Sequence, residues 1–211
     1  MATLQQRITA LRVPGIHGDF IPQQRLYDLI SQTEILEELR RNDYPPEDLS
    51  ESTNILFRDG RKVFAILVEI GAVQHIADYL SGNLLDGKLP FQDRDLEHFD
   101  DTSFAVQFQK FQWDYLAPIW GDGSSSHKIL DAKAILPFTK EEFLSEGSFG
   151  KAYIVTFKAT HQGFFKSANG DVRRLCYTYF TCALLQALTV SFSKGCASRA
   201  KGAYQLLEQY Y

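Results

Sequence analysis

The sequence predicts an α+β fold, with helices in its first part and strands after them. Two observations lead to this. Apolar residues recur at helical spacing between Pro22 and Arg41, whereas Ala134–Phe138 and Phe143–Phe157 alternate as strands do around a glycine turn. With 211 residues, 45% of them hydrophobic, the chain has material for one large domain or two small ones.

The first helix is predicted from Pro22 to Arg41, because leucines and isoleucines lie on one face and charged residues on the other. Tyr44-Pro45-Pro46 ends it, since proline removes a donor and pushes the preceding residue out of the helical region.

A second, buried helix is predicted from Arg61 to Ile70, closed by Gly71, with another turn or two from His75 to Leu80. A further helix is predicted from Phe104 to Tyr115. Its aromatic residues recur every three or four positions, the spacing of one face packed against a core.

The predicted domain boundary falls in GDGSSS, from Gly121 to Ser126, where all apolar character is lost. We therefore expect a helical N-terminal unit over residues 1–120, a linker over 121–128, a β unit over 129–175 and a helical C-terminal tail over 176–211.

The segment Leu175–Phe192 runs for eighteen residues without a charge, flanked by Arg174 and Lys194. That length is the minimum for a membrane span. A buried helix accounts for it equally well, and Gln186 with several hydroxyl residues makes insertion marginal. We expect no membrane association, and keep a membrane-tethered form as an alternative.

Composition excludes several classes of protein. A net charge of −4 and the lack of basic runs argue against nucleic acid as a partner. Three cysteines without paired spacing indicate neither a disulfide framework nor a zinc site, and the N-terminus lacks a signal sequence. We expect an intracellular, cytoplasmic protein.

An acidic cluster around His98 has residue types that bind metal ions. It lacks the glycine and final glutamate of a calcium loop, so a solvated loop is the favoured interpretation and no metal ligand is predicted. Its members are Asp93, Asp95, Glu97, Asp100 and Asp101.

The segment Leu144–Tyr153, with the sequence LSEGSFGKAY, carries the chemistry. It is similar to the protein-kinase glycine-rich loop GxGxxGxV, in which glycines let backbone N–H groups approach the phosphates of ATP. Ser145 stands at the first glycine and Ala152 at the valine that packs on adenine. The candidate binding residues are Ser145, Gly147, Ser148, Phe149, Gly150 and Ala152.

Taken alone, this segment is equally typical of an ordinary hairpin turn. The surrounding sequence adds RKVFAILVEIGAVQHIADYL, KLPF, FQKFQWDYLAPIW and DAKAILPF, in that order. Together with the glycine segment they resemble a family of fungal serine/threonine protein-kinase-like proteins, over roughly residues 55 to 165. The resemblance implies a helical accessory domain joined to an incomplete kinase N-lobe sheet, with weak ATP binding and Mg²⁺ only together with ATP.

The catalytic residues of a kinase are not found in the sequence. Lys158 lies one strand too early for the phosphate-binding lysine, and the next strand position offers Arg173 and Arg174, which have a different geometry. Glu208 is a poor candidate for the paired glutamate, and neither HRD nor a DFG after the glycine segment occurs. We predict no catalytic residue, and expect that the tail comes from a truncated or misannotated gene end.

The sequence therefore predicts a kinase-like fragment or pseudokinase with a degenerate ATP-phosphate loop. Two alternatives stay open. One is a noncatalytic interaction module, in which the helical unit of residues 20–120 binds another protein. The other is a fragment tethered to a membrane through Leu175–Phe192.

Overall fold

The fold class is α+β, as predicted. A computed structural model describes residues 2–97, 102–119, 127–147, 150–157, 173–182 and 187–193. Helices occupy the first part of the chain and strands the second. The helices are α1 Leu4–Thr9, α2 Gln23–Leu29, α3 Gln32–Arg41, α4 Leu49–Asp59, α5 Arg61–Glu69, α6 Ile76–Ser81, α7 Asp93–Leu96 and α8 Thr102–Phe111.

The described chain divides into two compact units. The first contains residues 1–13 and 19–117, and the second contains Pro14–Gly18 and the described residues from Pro118 onward. The chain therefore passes between the units three times. The predicted boundary segment, Gly121–Ser126, lies outside the described residues.

Helix α5 forms the centre of the helical unit, as its apolar sequence predicted. Six consecutive side chains, from Val63 to Val68, are buried, and the helix is followed by Gly71 at a φ of +70°. A positive φ is readily adopted by glycine, so this residue allows the chain to turn away. The aromatic side chains Phe64, Tyr79, Phe91 and Phe108 are among the residues buried in the same core.

The single helix predicted from Pro22 to Arg41 is wrong. The structure has two helices, α2 and α3, separated at Ile30 and Ser31. The reason is local: the Ser31 hydroxyl accepts a hydrogen bond from the Glu34 N–H at 3.2 Å and begins a new helix. The apolar spacing continues across this break, which is why periodicity alone did not reveal it.

The aromatic face predicted between Phe104 and Tyr115 is confirmed. Phe104, Phe108 and Tyr115 are buried. Helix α8 ends at Phe111, and the last turn, Gln112–Tyr115, is a 3-10 helix. The tighter final turn brings Gln112 inward, where its amide hydrogen-bonds both backbone groups of Phe91.

The second unit contains a five-stranded antiparallel sheet with strand order β1-β5-β4-β3-β2. Consecutive strands from β2 to β5 are neighbours, and β1 pairs with β5. The described core of this unit contains Leu136, Phe138 and Val155. The strands are β1 His127–Asp131, β2 Phe138–Gly147, β3 Gly150–Phe157, β4 Arg173–Cys182 and β5 Ala187–Ser193. Residues 134–137, predicted as strand, precede β2.

The helical prediction for the tail is wrong for residues 176–182 and 187–193. These residues belong to β4 and β5, which pair from Cys176↔Ser193 to Cys182↔Ala187. Alternating aromatic and β-branched residues favour a pleated strand over a helix, and this pattern was present in LCYTYFT and LTVSF. Residues 194–211 of the predicted tail, including Glu208, lie outside the described residues.

Candidate functional site

The glycine segment forms the end of an antiparallel strand pair. Strand β2 leads into it and β3 leads away, and the pairing continues to Gly147 opposite Gly150. Two residues separate these glycines in the sequence, Ser148 and Phe149, and both lie outside the described residues. The predicted strands around a glycine turn are thus present on both sides of it.

The two departures from the kinase pattern lie opposite each other. Ser145 on β2 pairs with Ala152 on β3. Between Phe143 and Ser145 the register shifts by one residue, so Leu144 is an extra residue in β2. A bulge of this kind bends the strand shortly before the glycines.

An apolar surface lies next to the glycine turn. Phe143 is 59% exposed and Leu144 is 40% exposed. The Phe143 ring meets the Tyr153 ring edge to face, with centroids 5.7 Å apart. Exposed apolar side chains that do not form a large patch are common on protein surfaces, so these two residues do not by themselves indicate a binding surface.

The sheet register places the candidate arginines far from the glycines. Arg173 lies opposite Phe157 and Arg174 opposite Thr156, at the end of β3 remote from Gly150. Seven strand residues span about 23 Å at the usual rise. The residue next to Gly150, Lys151, lies opposite Tyr179 and not opposite either arginine. The arginines are therefore not substitutes for a phosphate-binding lysine, and Lys158 lies outside the described residues.

The kinase pattern requires a helix carrying a glutamate after the lysine strand. In this sheet β4 and β5 are antiparallel neighbours, and only four residues separate Cys182 from Ala187. That length is too short for such a helix between them. Between these two described strands there is therefore no place for such a helix.

The helical unit contains a half-buried network of charges. The Arg12 guanidinium binds both Glu69 carboxylate oxygens at 2.9 Å and also donates to Asp114. The Tyr115 hydroxyl donates to Glu69 at 2.6 Å, and burial raises the pKa of Tyr115. Burial also raises the pKa of Asp114, while its hydrogen bond with Arg12 opposes that rise. The network therefore connects Glu69, at the end of α5, with Arg12 near the start of the helical unit and with Asp114 near its end.

A second polar cluster lies at the start of α5. The Asp86 carboxylate accepts the backbone N–H groups of Lys62 and Val63 at 3.0 Å, which caps the helix from a distant loop. Burial raises the pKa of Asp86 and lowers that of Lys62; the N–H bonds and nearby positive charges oppose the rise at Asp86. The sequence predicted only a turn at Asp86-Gly87, because nothing local marks a carboxylate that caps a helix 24 residues earlier.

An open groove of about 470 Å³ lies beside Asp86. The positive residues on its walls are Arg58 and Lys88, and the negative ones are Asp59 and Asp86. Arg58 is ion-paired with Asp59 at 2.6 Å. Because the wall charges balance, the groove favours neither an anionic nor a cationic small molecule.

The described carboxylates of the acidic cluster accept hydrogen bonds from nearby groups. Asp95 accepts the backbone N–H of Gln92, and Asp93 accepts the side-chain amide of Gln109. Residues 98–101, including His98, Asp100 and Asp101, lie outside the described residues. No group of three metal-ligating side chains occurs in the described part of the chain.

Comparisons with protein-family models, with curated proteins and with solved structures found no match to this chain. Across the described ranges, no helix has both the length and the apolar character that crossing a membrane requires.

Proposed function

We propose that this chain is a noncatalytic protein-kinase-like module, or part of one, whose glycine hairpin binds the phosphates of ATP weakly. The observation that supports the proposal best is the pairing of β2 with β3 as far as Gly147 opposite Gly150. Two glycines facing each other at the end of a strand pair leave backbone N–H groups accessible to phosphate oxygens.

The proposal excludes phosphoryl transfer by these strands. Transfer requires a lysine held by a helix glutamate and aspartates that bind Mg²⁺. Arg173 and Arg174 lie far from the glycines, and the connection between β4 and β5 is short. Both observations support a sheet without the lysine and its helix glutamate. Mg²⁺ would accompany ATP, bound through its phosphates.

The test is thermal unfolding of the full chain with increasing Mg-ATP. A ligand that binds only the folded state must raise the unfolding temperature, and the stabilisation grows with the logarithm of the ratio of ligand concentration to Kd. We expect a rise at millimolar Mg-ATP in the wild type and none in Gly150→Val, because a branched side chain obstructs the approach of the phosphates.

The matched control is Gly87→Val in the helical unit. A Cβ added at Gly87 meets nothing within 4 Å, so this variant should bind Mg-ATP like the wild type. An equal rise in Gly150→Val and in the wild type would contradict phosphate binding at the hairpin.

A second candidate function is a protein-interaction module formed by the helical unit. The observation that favours it is the groove beside Asp86, whose walls carry four charged residues. Charged groups at a rim give specificity to a partner more than affinity. Capture experiments with the full chain and with Arg58→Glu should recover a shared partner from the wild type alone; equal recovery would argue against the groove.

A further inference from the structure

Strand β1 lies at one edge of the five-stranded sheet. Among the described strands it pairs with β5 alone, from His127↔Ser191 to Asp131↔Ala187. The backbone groups of successive residues in an antiparallel strand point alternately to its two sides. Every second residue of β1 therefore directs its N–H and C=O away from β5, and a row of such groups is a template to which another strand can be added.

A turn ends β1 at Asp131. The Asp131 carboxylate accepts the Lys133 N–H at 2.8 Å through one of its oxygens, and the Asp131 carbonyl accepts the Ala134 N–H at 3.0 Å. The Asp131 side chain is exposed. The described edge is therefore a five-residue strand, with the sequence HKILD, that has an exposed carboxylate at its end.

The sequence of β1 is complementary to itself when two copies run antiparallel with Ile129 opposite Ile129. In this register His127 lies opposite Asp131 of the second copy, so a basic residue faces an acidic one at both ends of the pairing. Lys128 lies opposite Leu130. Facing residues are separated by an even number of positions, so the outward backbone groups of one copy meet those of the other. Cross-strand pairs of opposite charge stabilise a sheet.

The neighbouring registers that also align the outward backbone groups are poorer. A shift of two positions in one direction places Lys128 opposite Lys128, and like charges facing each other destabilise a sheet. A shift of two positions in the other direction places His127 opposite Lys133, which lies beyond the end of the strand. Only the register centred on Ile129 pairs every residue of one β1 with a residue of the other.

We propose that two copies of this chain associate through β1, which pairs antiparallel with β1 of the second copy about a two-fold axis at Ile129. The two copies use the same patch, so the assembly closes as a dimer, the commonest symmetry of homo-oligomers. It joins two five-stranded sheets edge to edge. The paired strands are short, so the dimer should dissociate on dilution. Association through β1 does not depend on ATP binding at the hairpin.

The test is analytical ultracentrifugation of the full chain between about 1 μM and about 1 mM, where the wild type should pass from monomer to dimer. His127→Glu places acidic residues opposite each other, and Asp131→Lys places basic residues opposite each other. Each variant alone should raise the dimer Kd about tenfold or more. An equimolar mixture of the two variants should dimerise again, because each acidic position of a mixed dimer faces a basic one.

The matched control is Glu37→Lys, which changes the net charge as much as Asp131→Lys but at a 53% exposed side chain of the helical unit. It should dimerise like the wild type.

A measurement on the wild type needs no variant to fold. Alternate amides of β1 should be more protected from hydrogen exchange in the dimer than in the monomer. Amides of β1 that are equally protected in both would show that another part of the chain covers the edge, and would overturn the proposal. So would a wild type that stays monomeric, single variants that dimerise as it does, or a mixture that stays monomeric.

Discussion

At the scale of single residues, the most informative positions are charged groups that hold distant parts of the helical unit together. Arg12 binds Glu69 and Asp114, which lie 57 and 102 residues away along the chain. Only 18% of the Arg12 side chain and 5% of the Glu69 side chain are exposed. Removing one member of such a group leaves the others charged and partly buried.

Arg12→Met tests this network. The substitution keeps the apolar part of the side chain but leaves Glu69 and Asp114 without their cation, and we expect a loss of about 3 kcal/mol in the free energy of unfolding. The measurement is chemical denaturation.

The matched control is Arg58→Met, at a surface ion pair in which the side chains of Arg58 and Asp59 are 76% and 45% exposed. It should change the free energy of unfolding by less than about 1 kcal/mol. Equal losses in the two variants would show that the Arg12 network contributes no more than a surface ion pair.

Asp86→Asn tests the effect of burying a carboxylate at the start of α5. Burial raises the Asp86 pKa above 3.8. The folded protein therefore binds more protons than the unfolded chain just above that pH, and the free energy of unfolding falls as pH rises through this window. Asparagine removes the charge and keeps an acceptor for the α5 N–H groups.

The measurement is the free energy of unfolding against pH for the wild type and Asp86→Asn. The variant should gain stability relative to the wild type as pH rises above 3.8. Asp59→Asn, at an exposed carboxyl group, is the control and should follow the wild type. A constant difference between wild type and Asp86→Asn across the window would contradict the account.

At the scale of secondary-structure elements, helix boundaries are set by capping groups and strand identity by residue type. The break between α2 and α3 depends on Ser31, whose hydroxyl caps the backbone of Glu34. The start of α5 depends on Asp86, from a loop that follows the helix. The first of these signals is local in the sequence and the second is not.

Ser31→Ala removes the α3 cap. We expect a loss of about 1 kcal/mol, because one N–H group at the helix start loses its acceptor. The measurement is thermal unfolding followed by circular dichroism at a helical wavelength. Ser81→Ala, in an exposed turn of helix α6, is the control; a loss as large there would show that the effect is not specific to a helix start.

Prediction from the sequence succeeded where the pattern was long and its physical cause local. The buried helix at Arg61–Glu69 and the aromatic face of α8 follow from apolar spacing alone. Strands β4 and β5 were not predicted. An uncharged segment of eighteen residues is long enough for one helix, and it is equally long enough for two strands. Residue type was the better guide there, since threonine, tyrosine, phenylalanine and valine favour strands.

The polar sites could be predicted less well than the fold. The glycine hairpin was predictable because its strands flank it directly. The Arg12 network, the Asp86 cap and the hydrogen bond from Ile16 to Phe138 each join residues more than 20 positions apart, so spacing gives no signal for them. Only the folded chain brings these groups together.

At the scale of the whole molecule, the chain combines a helical unit with an antiparallel sheet that carries a glycine hairpin but no room for the kinase glutamate helix between β4 and β5. The proposed module therefore holds a nucleotide without acting on it.

The measurement that tests this account most directly is a residue-resolved NMR titration of the full chain with Mg-ATP. If the hairpin binds phosphate, the amide signals of Gly147 and Gly150 should shift progressively and saturate, while those of α5 and of the groove residue Gly87 stay in place. Gly150→Val should abolish the shifts. Saturable shifts at Gly87 with none at Gly147 and Gly150, or no shift anywhere at millimolar Mg-ATP, would contradict it.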